Sequence, residues 1–213
     1  MSSPTDTAMK TDTRIRGALI CNICIVLMVL IAWGVMLFAN EEGVLSTLGF
    51  ANLRYFTVLS NVFEGVASLL LVISLRRGGV SHGVFAAKYL AAVTVAVTFF
   101  VVALFFGPWI GYAPLYRSAN FWFHLVIPLT AMLEFVFWDR FDIISRREVF
   151  LAPLPALVYG VVYAAALIFL GGEDFYGFAH WGLPVGFGIF AGILLLSLAA
   201  GALLRLGNRA GRR

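Results

Sequence analysis

A chain of 213 residues that is 62% hydrophobic and 12% charged, with a mean hydropathy of +0.95, has too few polar side chains to cover a water-facing surface. A soluble globular domain is excluded, and the bilayer is the solvent. The net charge of +4 and pI near 9.3 would suit an acidic partner, but the basic residues sit where membrane topology places them, so no nucleic acid is expected.

A membrane-spanning helix needs about 20 apolar residues. Six segments meet this: 17–39, 53–75, 86–106, 120–138, 150–170 and 181–204. The first follows Arg14 and Arg16 as a secretory signal would, yet it is longer than a signal's apolar region. Phe38-Ala39-Asn40 is also a poor cleavage site, so it reads as a retained helix. Cys21 and Cys24 lie inside it with no βαβ pattern around them and read as small packing or lipid-facing residues. The connectors 40–52, 76–85, 107–119, 139–149 and 171–180 are each too short to fold alone. The expected architecture is one all-α domain: a six-transmembrane-helix bundle over 17–204, between an N-terminal tail 1–16 and a basic C-terminal tail 205–213.

Basic residues orient the bundle. Of the 15, thirteen fall on one side of the assigned spans, including Arg76, Arg77, Lys88, Arg140, Arg146 and Arg205, and only Arg54 and Arg117 fall opposite. The positive-inside rule makes the rich side cytoplasmic and puts both termini there, in the plasma (inner) membrane if the cell is bacterial. Glu41, Glu42, Glu173 and Asp174 lie outside. Trp109, Tyr112, Trp122, Trp138 and Trp181 cluster near span ends, where amphipathic rings sit at the headgroups.

Spans two, four and six then run in the same direction. In span two, Arg54, Thr57, Asn61 and Glu64 are spaced 3, 4 and 3 apart on one helical stripe. Arg117, Asn120, His124, Ala131 and Glu134 form a matching stripe in span four. Pro128 leaves the carbonyl of His124 without its helical donor, opening room beside the histidine. Polar stripes in hydrocarbon face protein or a water-filled cavity and point to function. A threonine hydroxyl is a weak nucleophile alone, but a histidine within reach can take its proton as it attacks an ester carbonyl. Asn61, Ser60, Asn120 and Tyr55 are available as oxyanion donors. The bland alternatives are a Thr57 bonded back to its own helix and a His124 bonded to a neighbouring one.

The stretch Arg54-Tyr55-Phe56-Thr57-Val58-Leu59-Ser60-Asn61, with His124-Leu125-Val126-Ile127-Pro128, resembles the androgen-induced protein and androgen-dependent TFPI-regulating protein superfamily, including its bacterial six-helix members. The resemblance covers the helical core. It implies a transmembrane threonine hydrolase acting on fatty acid esters of hydroxy fatty acids, with Thr57 and His124 as the catalytic pair.

Glu64 and Glu134 lie deep, with no lysine or arginine expected at their depth, and so are expected to be protonated or bonded to polar neighbours. Glu64 could also orient the site from below. His180, at the outer start of span six, could approach the same pocket, whereas His82 lies in a cytoplasmic connector. A catalytic zinc needs three protein ligands, which only His124, His180 and a carboxylate could supply, so neither metal nor cofactor is expected. Arg54 and Arg117 read as interface anchors or as binders of a substrate carboxylate or phosphate. The leading expectation is a hydrolase of membrane lipid esters. A lipid acyltransferase, a lipid-binding protein and a transporter using Glu64 and Glu134 as a proton-linked pair stay open, as does a homo-oligomer.

Overall fold

The computed structural model describes residues 4–38 and 49–211, with side chains from residue 12 onward. The described chain is helical without strands. It contains six helices long and apolar enough to cross a membrane, which makes the protein an integral membrane protein. They are α1 (Pro4–Phe38), α2 (Phe56–Arg76), α3 (His82–Ile110), α4 (Ala119–Phe137), α5 (Arg146–Phe169) and α6 (Leu183–Ala210). Residue 39 and the Glu41–Glu42 pair lie outside the described residues.

Helix ends differ from the hydropathy reading where polar residues are good helix formers. α1 is helical throughout the described residues Pro4–Phe38. α6 continues through Arg205 and Arg209 to Ala210, since arginine propagates a helix well. Most of both assigned tails is therefore helix. At the other end of the bundle, residues 49–54 form a 3-10 helix, and Tyr55 is the extended residue that starts α2. Arg54 thus leaves the stripe that continues through Thr57, Asn61 and Glu64.

α3 is the central helix, packed against α2, α4 and α6. Ala91, Ala92, Val93, Val95 and Ala96 along it have no exposed surface. Small side chains let helices approach closely where lipid supplies no hydrophobic drive for association. At Gly201 of α6, an added Cβ would lie 2.6 Å from the Tyr89 hydroxyl and 2.8 Å from Ala152, so only glycine permits that crossing. α5 is peripheral, with Phe150, Val158, Val162 and Phe169 exposed to the lipid side.

Two helices are interrupted by π-turns, Val102–Phe106 in α3 and Trp122–Val126 in α4. A proline follows each: Pro108 cannot donate to the carbonyl four residues earlier, at Leu104, nor Pro128 to that of His124. The widened turns lie at the same end of the bundle, where Val102, Phe106 and His124 line one common cavity. Such bulges occur often at functional sites.

Candidate functional site

Thr57 is the second residue of α2, 7% exposed. A helix's first turn leaves N–H groups without helical acceptors and carries the positive end of the dipole, so negative charge developing there is favoured. Thr57 sits where two cavities adjoin. The larger, about 480 Å³, is walled by apolar faces of α3, α5 and α6, including Val101, Ala164, Phe187 and Phe190. The smaller, about 210 Å³, is lined by Thr57, His124, Tyr55, Leu115 and Phe175. Thr57, Val102, Phe106 and Tyr176 border both.

His124, 2% exposed, lies in the π-turn of α4. Its Nδ1 is 2.6 Å from the carbonyl oxygen of Leu115. A carbonyl only accepts, so Nδ1 carries the proton and Nε2 of the neutral ring is the acceptor, the form a general base needs. Leu115 is itself buried in a short 3-10 helix, Pro114–Tyr116, folded back over the start of α4. No direct hydrogen bond joins Thr57 to His124 among the described residues; the cavity they share has room for a water or an ester group between them.

The other sequence candidates divide by what they touch. Asn61 donates through Nδ2 to the Thr57 carbonyl at 2.8 Å and to the Phe123 carbonyl at 3.1 Å. It ties α2 to α4 beside the histidine, and its amide protons are engaged. Ser60 turns towards α3, bonding Thr98 Oγ1 at 2.9 Å. Tyr55 lines the smaller cavity, and its hydroxyl accepts from Arg54 at 3.0 Å. Asn120 is buried in the first turn of α4 with an unpartnered Oδ1, and it borders neither cavity. Arg54 pairs with Glu173 at 3.1 Å and stacks over Phe175. Arg117 is exposed before α4. His180 is exposed against Trp109 and Trp181, outside both cavities.

The 170–182 connector closes this end of the bundle. Burial opposes ionisation of Asp174, but hydrogen bonds from Tyr163 and from the Ala179, Phe178 and Gly177 amides outweigh it and hold the carboxyl below its ordinary range. So anchored, the connector places Tyr176 over Thr57. The Tyr176 hydroxyl accepts the Phe56 amide at 2.7 Å and a longer, 3.4 Å contact from the Tyr159 hydroxyl. A tyrosine in a connector carries no periodic signal, so position along the sequence could not single it out.

Glu64 and Glu134 belong to a different place, away from both cavities. Contrary to the expectation from sequence, a cation does reach them: Lys88, wholly buried in α3 rather than at the cytoplasmic flank. Its Nζ donates to Glu64 and, at 2.8 Å, to Ser68, and faces Glu134 Oε2 at 3.1 Å. Asn22 of α1 donates to Glu134 and, at 3.3 Å, to Asp139. The signal was a lone lysine two residues inside an apolar segment. Removing it from the count of flanking basic residues leaves their bias in place.

Among the described residues, no group of three or more His, Cys, Asp or Glu is arranged to hold a metal ion. Comparison with protein-family models, curated proteins and solved structures found no match.

Proposed function

We propose that the protein is a membrane-embedded lipid ester hydrolase in which Thr57 is the nucleophile and His124 the base. The observation that carries this reading is the position of Thr57, between an apolar chamber suited to an acyl chain and a smaller cavity holding a histidine of defined tautomer. The motif resemblance of residues 54–61 and 124–128 supports the same pair.

In the reaction, Thr57 Oγ attacks the ester carbonyl carbon as its proton passes to His124 Nε2, directly or through one water. The tetrahedral oxyanion is stabilised by the α2 N-terminus and by the Tyr176 hydroxyl. Its collapse breaks the bond to the alcohol, which leaves with the proton from His124, and the acyl group stays on Thr57. Water then gives a proton to His124 and attacks the acyl-threonine; the acid leaves and Thr57 regains its proton. An alcohol in place of water would make the same intermediate an acyl-transfer step.

Turnover of a panel of acyl esters by purified protein tests this. Thr57→Ala and His124→Ala should each abolish it, and the double variant should be little worse than either, because groups that act as a unit are non-additive. Tyr176→Phe should lower kcat by about 10²-fold, as loss of one oxyanion donor does. Full activity in Thr57→Ala would leave the chamber as a lipid-binding site without this chemistry.

The positive-inside bias places both termini in the cytoplasm in this reading, and the two cavities in the outer leaflet. A cysteine at Glu173 should then react with an impermeant thiol reagent added to intact cells, and one at Arg146 should not; the reverse pattern overturns the orientation.

A further inference from the structure

The buried cluster around Lys88 has one cation and three carboxyls: Glu64 from α2, Glu134 from α4 and Asp139 just beyond it. Glu64, Lys88 and Asp139 have no exposed surface and Glu134 has 2%. If all three carboxyls were ionised, two negative charges would be uncompensated away from water. That is far costlier than protonating the groups concerned.

Hydrogen-bond donors fall short by a similar margin. Lys88 donates to Glu64 and Ser68 and faces Glu134 as an ion pair, and Asn22 donates to Glu134 and Asp139. Glu64 Oε2, Glu134 Oε2, Asp139 Oδ2 and the amide oxygen of Asn22, itself wholly buried, receive no hydrogen bond. A carboxyl O–H is the donor such oxygens lack, and Asp139 is close enough to Glu134 for their carboxyls to hydrogen-bond. Cys21 of α1 is a further titratable neighbour, within the field of Glu134 and Lys88. From α6, Asn208 contributes only a neutral amide, bonded to the Asp139 carbonyl.

We propose that this cluster is a proton-binding site, holding two protons on its three carboxyls while Lys88 carries its charge. One carboxylate balances the ammonium, and the two acids supply the missing donors. The site is independent of the ester chemistry at Thr57 and stands or falls without it.

Infrared spectroscopy of the purified protein at neutral pH reads this through the C=O stretch of buried carboxylic acids, since surface carboxyls are ionised there. Each of Glu64→Gln, Glu134→Gln and Asp139→Asn removes a carboxyl while one anion is still required, so each should reduce the band to about half. Lys88→Met removes the need for an anion and should raise it to about 1.5 times the original. Absence of the band in the unsubstituted protein, or a band unchanged in the three acid variants, overturns the proposal. So does a band unchanged in a folded Lys88→Met variant, because that would make the amine neutral. If Lys88→Met does not accumulate in folded form, the three acid variants decide, each checked for retained helicity by circular dichroism.

Discussion

The two polar regions of this bundle are built in opposite ways. Around Thr57 and His124 the groups are neutral, open onto cavities totalling several hundred Å³, and held mainly through backbone carbonyls such as those of Leu115 and Phe123. Around Lys88 the groups are ionisable, bonded side chain to side chain across four segments, and border neither cavity. A site that admits a ligand must leave hydrogen-bonding capacity and space unfilled. A cluster that joins helices in a low-dielectric interior must fill both, because an unmatched charge there is costly. The first region should therefore matter for activity and the second for stability.

The largest expected effect is on the charged side. Lys88→Ala takes away the donor shared by Glu64 and Ser68 and leaves a cavity, and should cost about 3–5 kcal/mol of stability, measured by denaturant unfolding in detergent. Thr57→Ala, at a position already facing open space, should cost no more than about 1 kcal/mol while abolishing turnover. If the two stability effects were equal, the division of labour between the regions would be wrong. A smaller and more selective effect is expected in the apolar chamber. Ala164→Trp, which fills it, should lower kcat/KM for long-chain esters by about tenfold and leave short-chain esters nearly unchanged. Equal losses for both would place the acyl chain elsewhere.

Some of this arrangement was legible in the sequence. Thr57, Asn61 and Glu64 share one buried face of α2, and His124 and Glu134 are buried on α4, as the 3- and 4-residue spacings require. Pro128 marked the break beside His124. The spacing could not show that each stripe serves two unrelated places, with Thr57 and His124 at one cavity and Glu64 and Glu134 at one lysine. Nor could it reveal the carbonyl of Leu115, which has no sequence identity to read, or Tyr176, brought over Thr57 by a connector anchored through Asp174.

By itself, then, the sequence determined the six spans and the polar face of each helix, because hydropathy and helical period are properties of a segment alone. Which polar groups meet was decided by tertiary structure. Lys88 reads as a flanking residue when α3 is taken singly, and becomes the centre of a charged cluster only through the offset of α3 against α2 and α4. Pairing across helices depends on relative height, which no single helix encodes.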